Sequence, residues 1–216
     1  DSFKGCMTAK QACAAIRDGL LRVFPDAEYV MVPMADGGEG TVRSLVDATH
    51  GRICSAQVLD PLQRETFAEY GILGNANDSG LTAIIEMSAA SGIQFVDEHT
   101  RNPLVATTYG TGQLMKHALD DGVRTIILGV GGSATNDGGA GMAEALGVRF
   151  LDEHGNPIPR GGGFLDRLAT VDVSGLDPRI ANTCILIASD VTNPLVGPTG
   201  ASAVFGPQKG ATPQMV

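Results

Sequence analysis

The 216-residue sequence has no long hydrophobic run, few cysteines and few basic residues, and each shortage excludes a class of protein. No segment approaches the roughly 18 consecutive apolar residues that a transmembrane helix needs. The four cysteines are scattered and include no C-x-x-C pair, which argues against a disulfide framework and against a zinc site. We therefore expect a soluble, cytoplasmic protein with no membrane partner.

Positive charge is scarce as well. The chain has 15 Lys and Arg residues against 24 Asp and Glu residues, which gives a formal net charge of −9 at pH 7. Because the basic residues are spread along the chain, the basic surface of a nucleic-acid-binding protein is missing, and we expect no nucleic acid partner. An anionic ligand would have to be bound by a few local donors.

Glycine, in contrast, is abundant, at 29 of 216 residues, or about 13% against a typical value of about 7%. The glycines cluster in segments that resemble loops, where the backbone turns with positive φ or approaches a ligand closely. One cluster, GVGGSATNDGGAG at residues 129–141, directly follows the apolar run at 125–128. It is the first candidate for a binding site.

Hydrophobic spacing predicts helices and strands along the whole chain. Apolar residues at helical spacing indicate a helix over residues 8–24, with a capping box formed by Thr8 and Gln11. A buried strand over residues 29–34 and a second helix over Thr41–Thr49 follow.

From residue 53 to residue 87, short apolar segments alternate with turns, which is typical of an antiparallel meander and suggests a domain boundary near residue 60. The elements predicted beyond the meander are a helix, a strand, a short helix and two strands, at residues 111–121, 124–130, 138–146, 148–152 and 184–189. The last of these strands is expected to be buried.

Three loops directly follow predicted strands: ADGGEG at 35–40, GGSATNDGG at 131–139 and SDVTNPL at 189–195. In open α/β sheets, ligands bind beyond the carboxyl ends of the strands, so these loops could converge on one crevice. A fourth glycine-rich stretch covers residues 197–211.

Two interpretations of the 131–139 loop stay open. In the first, its backbone N–H groups surround a phosphate, the polar side chains add donors and Asp137 binds Mg²⁺. In the second, the loop is a tight turn and Asp137 caps the next helix. The candidate phosphate ligands here are Gly132, Ser133, Thr135 and Asn136.

The 35–40 loop carries two carboxylates, Asp36 and Glu39, separated by Gly37 and Gly38. They could bind a metal or orient a substrate hydroxyl. Alternatively, Asp36 closes an Asx turn and Glu39 caps the following helix.

Asp190 ends the apolar strand CILIA, where partial burial of a carboxylate would suit a general base, and Asn193 could hold the substrate. A turn-forming Asp is the alternative. Lys4 and Lys209 each precede a loop glycine and could neutralise phosphate charge, unless they are ordinary solvated lysines. The histidines lack metal-ligand spacing, and no G-x-S-x-G motif is present.

The segments DSFKG, PDAEYVMVPMADGGEGT, GTGQLMKHALDDG, GVGGSATNDGGAGMAEALGVRF and SDVTNPLVGPTGASAVFGPQKGATPQM together resemble the type-1 glycerate kinases. The resemblance extends over essentially the whole chain, in the same order. It implies phosphorylation of D-glycerate to 2-phospho-D-glycerate in sugar-acid or glyoxylate breakdown, with ATP and Mg²⁺. Ser2, within the first motif, is a further candidate substrate or phosphate ligand.

The resemblance also implies two α/β domains, a flavodoxin-like one and a second mixed α/β domain inserted into it, with the active site in the cleft between them. Residues 1–60 would begin the first domain, completed by a C-terminal region beyond residue 216, and residues 61–216 would form the inserted domain. We then expect residues 1–216 alone to lack kinase activity. ATP and D-glycerate are the expected partners, and a homodimer is allowed.

Two rival functions use the same features. One is a non-catalytic module that binds a phosphorylated sugar acid through the glycine loops. The other is a lyase or isomerase of such a compound, which needs a base and an oxyanion site but no nucleotide. Turnover of ATP separates the kinase from both.

Overall fold

The computed structural model describes residues 3, 6–34, 40–74 and 80–216. Within these ranges the α-helices are α1 (Ala9–Leu21), α2 (Thr41–Thr49), α3 (Ser88–Ser91), α4 (Tyr109–Asp120), α5 (Ala140–Ala145) and α6 (Ala201–Phe205). The strands are β1 (Arg52–Leu59), β2 (Glu65–Ile72), β3 (Leu81–Glu86), β4 (Val123–Gly129), β5 (Arg149–Leu151), β6 (Thr170–Asp172) and β7 (Cys184–Ala188). None of the described helices is long and apolar enough to cross a membrane.

The first two helices begin where local sequence signals place them. The Thr8 hydroxyl accepts a hydrogen bond from the Gln11 N–H, and the Gln11 side chain accepts one from the Thr8 N–H, so the predicted capping box is confirmed. Helix α2 has the predicted bounds and ends at His50, which adopts the left-handed conformation.

Five strands form one mixed sheet in the order β1–β2–β3–β4–β7. The first three pair antiparallel, which confirms the predicted meander, whereas β3, β4 and β7 are parallel. Strands β5 and β6 form a separate antiparallel pair. Because β3, β4 and β7 are parallel, their carboxyl ends lie at the same edge of the sheet.

Helices cover both faces of the sheet. In β3, Ala83 and Ile85 belong to the main core cluster with α4, whereas Ile84 packs with Val42 and Val46 of α2. Successive side chains of a strand point to opposite faces, so α4 and α2 lie on opposite sides of the sheet. The protein is therefore an α/β protein, as predicted.

Two expectations about strands are wrong. Residues 29–34 are not a strand, and Val30 is 79% exposed. No described strand pairs with this segment, so its apolar residues have no sheet to join. Strand β7 forms, but it is an edge strand with Ile187 65% exposed, not a buried one.

The two-domain division stays a prediction. Strands β1 and β2 lie on either side of residue 60 and form one hairpin, with Arg52 opposite Ile72 and Leu59 opposite Glu65. The hairpin brings the residues on both sides of that proposed boundary into the same sheet.

Candidate functional site

A cavity of about 550 Å³ lies at the shared carboxyl edge of β3, β4 and β7. Two of the three loops predicted to converge line it, through residues 130–133 and 188–191. Lys209 also lines it, and we therefore refer to it as the lysine cavity. Its location agrees with the rule that open α/β sheets bind ligands beyond their strand ends.

The floor of the lysine cavity includes the first part of the glycine loop. Within the described chain, the N–H groups of Gly131, Gly132 and Ser133 donate no hydrogen bond. Two backbone hydrogen bonds to the 91–93 segment fix the loop: Ile93 donates its N–H to the Gly132 carbonyl at 2.9 Å, and Ala134 donates its N–H to the Ser91 carbonyl at 2.9 Å. Consecutive unpaired N–H groups in a fixed turn are a typical anion-binding arrangement.

Gly132 adopts the left-handed conformation, with φ +71°. A Cβ at this position would lie 3.3 Å from Cβ of Ser88, which also lines the cavity. Both the backbone conformation and the tight contact therefore favour glycine here.

Lys209 is buried, at 7% exposure, and ends a 3₁₀ turn that covers Pro207–Lys209. Its ammonium donates hydrogen bonds to Ser133 Oγ at 2.8 Å and to the Thr135 carbonyl at 2.6 Å. An ammonium has three N–H donors, so one is left for a ligand in the cavity. Burial lowers the pKa of Lys209 from its ordinary value of 10.5, and the negative charge of Asp137 opposes this effect.

Asp137 is 2% exposed and lies in the second part of the glycine loop. Its carboxylate accepts hydrogen bonds from the Thr108 N–H at 2.8 Å, the Thr108 hydroxyl at 2.9 Å, and the N–H groups of Gly139 at 3.1 Å and Gly141 at 3.2 Å. It therefore caps α5 and joins it to the start of α4. Donors surround both oxygens, an environment that does not suit a cation.

Thr135 and Asn136 connect the glycine loop to the C-terminal part of the described chain. The Thr135 carbonyl accepts from Lys209, and the Asn136 amide donates to Ser202 Oγ at 2.9 Å. Neither residue lines the lysine cavity; both line a second cavity that borders it.

Asp190 lines the lysine cavity but is exposed, so the partial burial expected at the end of its strand is absent. Asn193 is also exposed and lies outside the lining of the cavity. Its amide donates to the Thr199 carbonyl at 2.9 Å, which closes the 193–199 turn.

Five polar lining residues were not predicted as site residues: Glu86, Ser88, Gln94, Ser189 and Gln208. Glu86 lies at the carboxyl end of β3, much as Asp190 lies just after the carboxyl end of β7. The Oε1 atom of Glu86 accepts a hydrogen bond from the Val42 N–H of α2 at 2.8 Å. A carboxylate directly after an apolar run was the available signal. The sequence predicts β3 as part of an antiparallel meander, whereas it also pairs in parallel with β4, and this pairing brings Glu86 to the cavity.

Six predicted site residues lie outside the described residues: Ser2, Lys4, Asp36, Gly37, Gly38 and Glu39. Their roles stay predictions. Within the described ranges, no three His, Cys, Asp or Glu side chains form a group that could hold a metal ion.

Comparison with known proteins gives one consistent result. The model of the glycerate kinase family matches residues 1–216. The chain is 56% identical over 216 residues to a Haemophilus influenzae protein named glycerate kinase, and 52% identical over 216 residues to the Escherichia coli glycerate 2-kinase. In both cases the alignment covers 100% of this chain and 56% of the relative.

A crystal structure from Salmonella typhimurium LT2, described as glycerate kinase 2, superimposes with a TM-score of 0.88 at 53% sequence identity. The match covers 100% of this chain and 56% of that one. The chain thus spans a little over half the length of the relatives that it matches.

Proposed function

Because the chain belongs to the glycerate kinase family, we propose that the intact protein transfers the γ-phosphoryl group of ATP to the 2-hydroxyl of D-glycerate. The observation that carries the proposal is the buried Lys209 ammonium beside the unpaired N–H groups of residues 131–133. Among the described residues that line the lysine cavity, Lys209 is the one with a positive charge. A cytoplasmic location and a homodimer remain predictions.

Phosphoryl transfer requires mainly positioning and charge stabilisation from the protein. The N–H groups of Gly131, Gly132 and Ser133 would bind the phosphoryl oxygens, and Lys209 would stabilise the charge that develops on them. Because Lys209 is held by Ser133 and Thr135, its ammonium does not need to reorganise when the charge appears.

Asp190 is the proposed base. The substrate hydroxyl oxygen bonds to the γ-phosphorus, the bond from that phosphorus to the bridging oxygen breaks, and ADP leaves. The hydroxyl proton passes to the Asp190 carboxylate, which lines the same cavity. Exposure of Asp190 leaves room for substrate to approach it.

Oxygen ligands suit Mg²⁺, which is typically bound by one or two carboxylates together with substrate phosphates. Glu86 lines the lysine cavity and could supply one such carboxylate, whereas the hydrogen bonds of Asp137 do not favour a cation. A bound Mg²⁺ would neutralise phosphate charge and orient the γ-phosphoryl group. Glu86 is thus the side chain that we propose for it, and Asp190 keeps the role of base.

The test is an NMR analysis of the reaction of the intact protein with D-glycerate and Mg·ATP. We expect ADP and a product with phosphorus coupled to the proton on C2. Phosphorus coupled to the C3 protons would refute the proposed regiochemistry. Absence of ADP with D-glycerate and with related hydroxy acids would refute the enzyme class.

A further inference from the structure

A second cavity, of about 370 Å³, is lined by the later part of the glycine loop and borders the lysine cavity at Val130 and Ser133. It is located between β4, β7 and the helices α4 and α5, and we refer to it as the α5 cavity. Its volume is within the range of roughly 300–1,000 Å³ that is usual for small-molecule sites.

The α5 cavity has apolar walls and no available charge. Its apolar lining side chains include Leu128, Val130, Met142 and Ile187. Its one ionisable lining residue among those described is Asp137, whose carboxylate is already hydrogen-bonded to five donor groups. A phosphate would find no cation here, whereas a flat uncharged group would bury apolar surface.

Several polar groups in the α5 cavity have no hydrogen-bond partner within the described chain, and the side-chain carbonyl of Asn136 is one of them. The Asn136 amide nitrogen is used by Ser202, but its side-chain carbonyl accepts no hydrogen bond from the described chain. It could accept one from an amine or hydroxyl of a ligand. At the mouth, Gly138 has open space around the position of a Cβ.

We propose that the α5 cavity binds the nucleoside of ATP, while the lysine cavity binds D-glycerate and the transferred phosphoryl group. The triphosphate would then pass between the cavities at Ser133, the polar residue common to both linings. This assignment rests on the proposed kinase function and specifies which cavity each substrate occupies.

The first test compares Ile187→Ala with Ile185→Ala. Both positions lie in β7, two residues apart and therefore on the same face, and both are exposed, but only Ile187 lines the α5 cavity. The ligands are the Mg²⁺ complex of a non-hydrolysable ATP analogue, Mg·tripolyphosphate and D-glycerate, measured by calorimetry on the intact protein.

Ile187→Ala should raise the Kd of the ATP analogue about 5- to 10-fold, or about 1–1.4 kcal/mol, because the truncated side chain loses its apolar contact with the nucleoside. Tripolyphosphate has no nucleoside, so its Kd and that of D-glycerate should stay within about twofold. Ile185→Ala should change none of the three. An unchanged ATP-analogue Kd, or a loss of D-glycerate affinity, in Ile187→Ala would overturn the assignment.

A second test does not depend on the stability of any variant. Photolabelling with 8-azido-ATP should modify Ile187 or residues between 135 and 142, which line the α5 cavity and not the lysine cavity. Labelling confined to residues 86–94 or 205–209 would overturn the assignment of the nucleoside while leaving the kinase proposal intact. If the unmodified protein binds none of the three ligands, the proposed function fails, and the subsite assignment fails with it.

Discussion

Replacing Lys209 with methionine would remove the ammonium from the lysine cavity while keeping a long apolar side chain. The variant loses two hydrogen bonds from a charged donor, each worth about 1.5–3 kcal/mol. It also removes the unfavourable burial of a charge, which offsets part of this loss. We therefore expect a net destabilisation of about 1–2 kcal/mol, or a Tm lower by about 2–8 °C.

The effect of Lys209→Met on catalysis should be larger. Removal of one preorganised donor from developing transition-state charge typically lowers kcat by roughly 10²- to 10³-fold. The assay is steady-state release of ADP at a temperature well below Tm, with folding checked by circular dichroism. Lys116→Met is the matched control, because Lys116 is exposed on α4 and should tolerate the change.

The same lysine predicts a pH dependence. Burial lowers the pKa of Lys209 below 10.5 in the folded protein. At pH values between this lowered pKa and 10.5, Lys209 therefore binds more protons in the unfolded chain than in the folded one. The free energy of unfolding of the ligand-free protein should therefore rise with pH in this window, while affinity for tripolyphosphate falls. Both trends should disappear in Lys209→Met. A folded variant with near-normal kcat, or with both trends unchanged, would refute the role of Lys209.

Three other substitutions test the remaining site residues. Asp190→Asn should lower kcat by roughly 10²- to 10⁴-fold with little change in nucleotide affinity. The control is Asp166→Asn, which should turn over normally because Asp166 is exposed. Near-normal turnover in Asp190→Asn would exclude Asp190 as the base. Gly132→Ala should weaken tripolyphosphate binding, measured by calorimetry. Gly122→Ala is the control, because Gly122 also has a positive φ and the substitution should cause the same backbone strain of about 1–2 kcal/mol. Equal affinities in the two variants would indicate that the loop is a plain turn. Asp137→Asn should lower the free energy of unfolding by about 2–3 kcal/mol, because the new amide faces N–H donors, and a shifted Mg²⁺ requirement without destabilisation would favour the metal role.

Local signals in the sequence were sufficient for several elements. Thr8 and Gln11 define the start of α1 through contacts three residues apart, and the run after Arg124 marks β4 and the loop that follows it. Such elements depend on neighbours in the chain. The apolar run at 29–34 shows the limit of this approach, since a strand also needs a partner, and periodicity does not reveal one.

The functions within the glycine loop could not be separated from sequence, because they depend on distant residues. The Asp137 carboxylate accepts a hydrogen bond from Thr108, which lies 29 positions earlier in the chain. The Ser133 hydroxyl accepts one from Lys209, which lies 76 positions later. The structure thus divides the loop into a part that lines the lysine cavity and a part that caps α5. Glu86 could be recognised as a lining residue only once β3 was seen to run parallel to β4.

The most direct test of this account is a crystal structure of the intact protein with a Mg²⁺-bound non-hydrolysable ATP analogue and D-glycerate. We predict the γ-phosphoryl group in the lysine cavity, about 2.7–3.1 Å from a backbone nitrogen of residues 131–133 and from Lys209 Nζ. The 2-hydroxyl of glycerate should face both that phosphorus and Asp190. Electron density for both ligands at another location, with the lysine cavity empty, would contradict the account.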